Sequence, residues 1–131
     1  MSNKGLVFDH VHLISEDPGK AAQWYSDNLG GRIVSSQEVL GAPQFYVAFN
    51  EITVIIRGRR PGETPGKKSA LLWGNDHFGF QVPGDFDRFC ADLKGRGVRF
   101  SVEPKDFSPS LRIAFLEGPD GVSIELLQRK E

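Results

Sequence analysis

The sequence DHVHLI at residues 9–14 returns in altered form as DHFGFQV at residues 76–82. Each stretch opens with Asp-His and then alternates between two sets of side chains, which is the pattern of a β-strand. His10 and His77 lie 67 residues apart, about half of the 131-residue chain. This spacing predicts one structural unit written twice, with a histidine at the same position in each copy. Such a pair can converge on one point, and a metal ion is the usual occupant.

The composition predicts a small globular protein, with 39% hydrophobic and 25% charged residues. A length of 131 residues fits a single domain spanning residues 1–131. The formal net charge of −1 gives no reason to expect a nucleic-acid partner. Apolar runs are too short to cross a bilayer, so no membrane partner is expected, and the N-terminus lacks the apolar region of a signal peptide. The single cysteine, Cys90, excludes an intramolecular disulfide and fits a cytoplasmic location.

Residues 6–57 predict a first βαβββ unit. Asp17-Pro18 is a typical helix start and Gly30-Gly31 a typical helix end. Asn50-Glu51 is predicted to join two strands in a hairpin. The predicted elements are a strand at 8–14, a helix from 17 to 29, and strands at 32–39, 44–50 and 52–57.

Residues 76–128 repeat this order and predict a second βαβββ unit. Its predicted elements are strands at 76–82, 98–102, 111–116 and 122–128, with a helix at 85–96. Self-comparison aligns Ala48-Phe49 with Ala114-Phe115 and residues 54–56 with 123–125. Cys90 falls on the apolar stripe of the second helix, which predicts an inert core thiol.

Residues 58–75 join the two units and are rich in Gly, Pro and basic residues. This composition favours a linker or mobile loop. The alternative is a lid or a rim that attracts anions, carried by the basic patch Arg59, Arg60, Lys67 and Lys68.

Strand alternation also predicts a metal site. Glu125 lies in an otherwise apolar strand, where an unpaired carboxylate is costly, so it requires a charged or metallic partner. If His10 and His77 share its cavity, they complete the two-histidine, one-carboxylate set that holds a divalent metal and leaves open positions. The metal ligands are therefore predicted to be His10, His77 and Glu125. The alternatives are a hydrogen-bonded core histidine and an ion pair between Glu125 and an arginine.

The same alternation predicts residues that contact a small-molecule substrate. His12 shares a face with His10 and is a candidate general acid or base, the alternative being a histidine that only lines the cavity. Four further side chains are predicted to line an apolar pocket with a few polar points and to bind substrate: Phe49, Gln81, Phe115 and Ser123.

Two βαβββ units that each open with Asp-His, a first helix ending WYSDNLGG, and PDGVSIELL near residue 127 together resemble the vicinal oxygen chelate superfamily. That group includes glyoxalase I, methylmalonyl-CoA epimerase, fosfomycin-resistance enzymes, ring-cleaving dioxygenases and bleomycin-resistance proteins. The resemblance implies an α+β fold of paired, cupped mixed sheets around a central cavity. It also implies metal ligands on the first and last strand of each unit, which are His10, His77 and Glu125, with Ile56 at a fourth position that cannot bind metal.

The branch of the family is left open by three departures. Ile56 counts against ordinary glyoxalase I activity. Ala114 stands where the fosfomycin enzymes have a tyrosine, and Phe115 stands where ring-cleaving dioxygenases have one.

The resemblance implies a divalent-metal enzyme (Fe, Mn, Ni, Zn or similar) of the dioxygenase or lyase/isomerase type, acting on a small oxygen-bearing substrate. It also implies a homodimer, in which His10 and the His77/Glu125 pair come either from one chain or from different chains. The rival interpretation is a metal-free protein of the bleomycin-resistance type that binds or sequesters a small ligand. A third is an inactive structural or regulatory relative.

Overall fold

The computed structural model of the protein describes residues 5–67 and 71–130, so Lys68 of the predicted basic patch lies outside the described residues. The first five elements are β1 (His10–Ile14), α1 (Pro18–Leu29), β2 (Arg32–Val39), β3 (Ala42–Phe49) and β4 (Ile52–Arg57). The others are β5 (Phe78–Gln81), α2 (Phe86–Gly95), β6 (Phe100–Ser108), β7 (Leu111–Glu117) and β8 (Ser123–Arg129). A short 3-10 turn, Pro119–Gly121, precedes β8.

The chain divides into two compact units, Met1–Gly66 and Lys67–Glu131. Each unit holds one four-stranded mixed sheet, in the order β1-β4-β3-β2 in the first and β5-β8-β7-β6 in the second. In both, the first strand runs parallel to the last strand and the remaining pairs are antiparallel. The predicted α+β class with two βαβββ repeats is confirmed.

Both helices begin and end as the sequence predicts. The Asp17 side chain accepts a hydrogen bond from the Lys20 backbone N–H at 3.1 Å, and Gly30 ends α1 with φ 77°. In α2, the Asp85 side chain caps the Arg88 N–H at 3.1 Å. These caps satisfy backbone groups that lack intrahelical partners, so they fix where each helix starts or stops.

Each sheet buries the side chains of one face more deeply than those of the other. In the first unit, Val47, Val54 and Ile56 are buried on the side where the Gly31 backbone lies against β3. In the second unit the buried face carries Ala114, Leu116, Ile124 and Leu126. Because side chains alternate along a strand, the residues between these project from the opposite face.

The strand β6 continues to Ser108, beyond the predicted end at Val102. Pro104 lies inside it, which argues against a strand when only the sequence is considered. The structure accommodates Pro104 because β6 is an edge strand and its pairing with β7 shifts register between Val102 and Lys105.

Residues 58–67, the described part of the predicted linker before residue 68, contain neither helix nor strand, and residues 58–63 make two backbone hydrogen bonds. The Gly58 N–H donates to the Pro43 carbonyl at 2.9 Å. The Glu63 N–H donates to the Arg60 carbonyl at 3.0 Å and closes a turn around Pro61 and Gly62, whose φ is 84°.

Candidate metal and substrate site

The second unit brings together two of the predicted ligands, His77 and Glu125. His77 immediately precedes β5, and Glu125 lies in the middle of β8, whose partner strand is β5. His77 Nε2 and Glu125 Oε1 are 3.1 Å apart. Their side chains are 31% and 18% exposed, so the pair is partly shielded from water.

The hydrogen bond of the other ring nitrogen of His77 indicates that a cation must lie between His77 Nε2 and Glu125 Oε1. Nδ1 donates to Asp76 Oδ2 at 2.7 Å, which assigns the single N–H of a neutral imidazole to Nδ1. Nε2 then presents a lone pair to a carboxylate oxygen, and this contact is favourable only with a cation between the two atoms. A proton meets this need, as in an ion pair, and so does a metal ion. Two ligand atoms about 2.1 Å from one metal and at right angles lie about 3 Å apart, so the pair fits a divalent ion.

The same arrangement of Asp and His occurs in the first unit. His10 Nδ1 donates to Asp9 Oδ2 at 2.7 Å. A carboxylate behind the imidazole fixes the tautomer and leaves Nε2 as the ligand atom. This role of Asp9 and Asp76 was not predicted, although each of them stands directly before its histidine in the sequence.

His12 lies two residues beyond His10, on the same face of β1. The two rings meet edge to face with centroids 6.2 Å apart. Partial burial lowers the pKa of His12, and the positive charges of Arg57 and Arg60 lower it further. The neutral form, which can accept a proton, is therefore favoured at neutral pH.

Three of the four residues predicted to contact substrate lie on the face of the second sheet that carries Glu125. Phe115 pairs with Glu125 in the β7–β8 ladder, and its ring meets the His77 ring edge to face at 4.8 Å. Ser123 and Gln81 share the Glu125 face by strand alternation, and Gln81 accepts a hydrogen bond from Arg129 at 3.1 Å.

Phe49 departs from the prediction. Its ring and the Val47 side chain occupy the space that a side chain on Gly31 would need. This places Phe49 on the buried face of its sheet, opposite to His10 and His12. Phe49, which is partly buried, therefore lies on the face that carries Val47 and does not share a face with the histidines.

The sheet registers also correct the predicted correspondence between the units. Val11 pairs with Val54 as Phe78 pairs with Ile124, so Glu125 corresponds to Ile55 and not to Ile56. Phe115 likewise corresponds to Tyr46, because Phe115 is the cross-strand partner of Glu125 and Tyr46 is the cross-strand partner of Ile55. The chemical conclusion survives the correction, because isoleucine at either position offers no ligand atom.

Within residues 5–67 and 71–130, no three His, Cys, Asp or Glu side chains form a group able to hold a metal ion. What the described residues provide is the His77–Glu125 pair in the second unit, and His10 with its Asp9 partner in the first. Among the same residues, no helix is both long and apolar enough to span a membrane.

The fold is shared with proteins of known structure. A glyoxalase family protein from Bacillus cereus is 17% identical, with a TM-score of 0.82 and 98% of this chain and 97% of that chain covered. TnmS3, an antibiotic binding protein from Streptomyces sp. CB03234, is 22% identical, with a TM-score of 0.75 and coverage of 98% and 100%. A glyoxalase I mutant from Zea mays is 20% identical, with a TM-score of 0.78. The similarity covers 95% of this chain and 45% of that chain. These identities establish the fold alone.

No curated protein sequence is similar enough to this chain to count as a match. A family model does match, over residues 7–126, and it describes the Glyoxalase/Bleomycin resistance protein/Dioxygenase superfamily. The match covers nearly the whole chain and includes both Asp-His strands and Glu125. The chain is therefore a member of the Glyoxalase/Bleomycin resistance protein/Dioxygenase superfamily.

Proposed function

We propose that this protein is a divalent-metal-dependent enzyme of the glyoxalase/dioxygenase type, with His10, His77 and Glu125 as the metal ligands. The observation that carries the proposal is the approach of His77 Nε2 to Glu125 Oε1 at 3.1 Å, with Asp76 fixing the opposite ring nitrogen. An imidazole held in this way presents a ligand atom next to a carboxylate, and the pair favours a cation of some kind between them.

A metal bound there would act as a Lewis acid on a chelating substrate oxygen. The residues around the ligands have separate tasks. Asp9 and Asp76 hold the two imidazoles in the tautomer that leaves Nε2 available. His12, next to His10, takes up or releases a proton of the substrate. Phe115 covers one edge of His77 and limits the access of water, while Ser123 and Gln81 offer polar contacts on the Glu125 face.

The reaction is either of the dioxygenase type or of the lyase/isomerase type, and the substrate is a small oxygen-bearing molecule. The first-unit counterpart of Glu125 is Ile55, so the proposed site has three ligands and open positions for a chelating substrate. We further propose a homodimer, in which His10 is supplied either by the same chain or by a second copy.

Metal analysis of protein purified without chelators tests the proposal. We expect about one divalent ion per chain, lost in His77→Ala and in Glu125→Gln. The control is Glu51→Gln, which removes the same charge from an exposed turn and should keep the metal. Wild-type protein without metal, or His77→Ala with unchanged metal content, would refute the proposal.

Once the metal is identified, two assays separate the reaction types. Oxygen consumption with a panel of catechols reports dioxygenase activity. Proton exchange with thioesters and hemithioacetals reports lyase or isomerase activity. A protein that carries no metal but binds planar aromatic ligands saturably would instead belong with the ligand-sequestering members of the superfamily.

A further inference from the structure

Gly79 lies inside β5 and is the direct partner of Glu125 in the parallel ladder between β5 and β8. Glycine inside a strand is less stable than alanine, because it loses more conformational freedom on folding. The backbone does not require glycine here, since the φ of Gly79 does not lie in the left-handed region. A glycine of this kind often marks a place where another group approaches the strand closely.

The first unit shows that the fold accepts a side chain at the equivalent position. His12 pairs with Ile55 in the ladder of β1 and β4, as Gly79 pairs with Glu125 in the ladder of β5 and β8. An imidazole is therefore compatible with this strand position when its partner is isoleucine. The second unit differs in the partner, so the requirement for glycine comes from Glu125.

Glu125 occupies the space that a side chain on Gly79 would need. A Cβ at residue 79 would lie 3.2 Å from Glu125 Cβ and 3.1 Å from the Glu125 backbone oxygen. Paired residues usually hold their Cβ atoms about as far apart as the strands themselves, about 4.8 Å. Leu127 Cδ2 borders the same space at 3.6 Å, an ordinary contact distance. An added methyl group would therefore press on the stem of Glu125.

The position of this stem determines where the Glu125 carboxylate lies. His77 stands two residues before Gly79, so the two project from the same face of the strand. From its place opposite Gly79, the Glu125 side chain reaches along this face until Oε1 lies 3.1 Å from His77 Nε2. A displaced stem carries the carboxylate with it, so this separation depends on the empty position at Gly79.

We propose that Gly79 is a positioning residue of the metal site. The lack of a side chain at residue 79 lets Glu125 lean across β5 and hold its carboxylate against His77 Nε2. The first unit has no carboxylate to place at Ile55, and there the equivalent position carries His12 instead. The inference rests on the proposed function in treating His77 and Glu125 as metal ligands, but the position of the carboxylate can be measured without a metal.

The test compares full-length Gly79→Ala with wild type and with Gly95→Ala. Gly95→Ala is the matched control, since a Cβ at residue 95 meets no atom within 4 Å. Competition with a chromogenic chelator gives the Kd for Co²⁺. Crystal structures of the metal-free proteins give the separation between His77 Nε2 and Glu125 Oε1. Chemical denaturation gives the stability of each variant.

In Gly79→Ala we expect the Kd for Co²⁺ to rise about tenfold or more. The two atoms should move beyond hydrogen-bond range in the metal-free crystals, to more than about 3.5 Å apart. Gly95→Ala should keep the wild-type separation and a Kd within about twofold of wild type. The denaturation midpoint of Gly79→Ala should stay near the wild-type value, because alanine is more stable than glycine in a strand and the Glu125 side chain moves aside. A glycine that serves only the fold would instead lose stability and keep the separation.

Three results would overturn the proposal: a wild-type separation in Gly79→Ala, failure of Gly79→Ala to fold, or an equal loss of Co²⁺ affinity in Gly95→Ala. Failure to fold counts against it because the proposal holds that the fold accepts a side chain at residue 79. Wild-type protein that binds no Co²⁺ would refute the proposed function instead. The crystallographic comparison would then still decide the role of Gly79, so the two failures are distinguishable.

Discussion

Replacement of Asp76 by asparagine should weaken metal binding while leaving the fold intact. Asp76 Oδ2 accepts from His77 Nδ1 at 2.7 Å. Asparagine keeps the size of the side chain but removes its charge, so the imidazole loses both its electrostatic support and its fixed tautomer. The side chain is 70% exposed, so its loss creates no cavity.

The size of the effect follows from this exposure. Loss of a carboxylate behind a ligating histidine typically lowers metal affinity about 10–100-fold. Solvent screens an exposed charge, which places Asp76→Asn near the lower end, at about tenfold. Asp9 is 86% exposed, and its partner His10 is also more exposed than His77. Asp9→Asn should therefore lose less affinity, about threefold.

Competition with a chromogenic chelator measures these affinities directly, without any assumption about the reaction. Asp92→Asn, an exposed charge change on α2, is the control and should bind metal like wild type. The reasoning fails if Asp76→Asn binds metal within twofold of wild type, or if Asp9→Asn has the larger effect. Equal losses in Asp92→Asn would mean that net charge, and not the hydrogen bond to His77, sets the affinity.

Three further predictions concern stability and reactivity. Gly31→Ala should destabilise the folded protein by about 1–3 kcal/mol, because the added Cβ would lie 2.5 Å from Val47 Cγ1. Gly66→Ala is the control, since a Cβ there meets open space. Equal denaturation midpoints for the two variants would contradict this prediction. Leu40→Asn should stabilise by a few tenths of a kcal/mol to about 1 kcal/mol, since Leu40 has φ 52° in a two-residue hairpin turn that favours asparagine; a lower midpoint would contradict it. Burial raises the pKa of Cys90 to about 11, so a disulfide reagent at pH 8 should label it only after unfolding. Rapid labelling of the native protein would be the contrary result.

The local features of the fold were readable from the sequence because their causes are local. Asp17-Pro18 and Gly30 fix the ends of α1 through backbone hydrogen bonds within a few residues. Asn50-Glu51 joins β3 and β4 as predicted, with Asn50 at φ 54°. The repeat of Asp-His at residues 9 and 76 was visible without any structure, and it led to the correct fold class.

Strand register, by contrast, depends on which residues of two neighbouring strands pair, and self-comparison of the sequence does not give these pairs. A one-residue slip moves every side chain to the opposite face of a sheet. The predicted alignment slipped by one residue at β4 and by three residues at β3, so it assigned Ile56 where Ile55 belongs and Phe49 where Tyr46 belongs. On β5 and β8, alternation counted from Phe78 and Ile124 predicts that His77 and Glu125 share a face. This prediction needs no alignment between the two units, so no insertion or deletion has to be located.

By itself, the sequence determined the two βαβββ units, the helix ends and the candidate ligands His10, His77 and Glu125, because periodicity and capping act over a few residues. The tertiary structure alone decided that His77 Nε2 lies 3.1 Å from Glu125 Oε1, since these residues are 48 positions apart. It also decided that the partly buried Arg57 guanidinium pairs with the Glu63 carboxylate. Composition alone predicts only a linker or mobile loop at residues 58–75, because hydrogen-bond partners of a loop depend on the surface against which it folds.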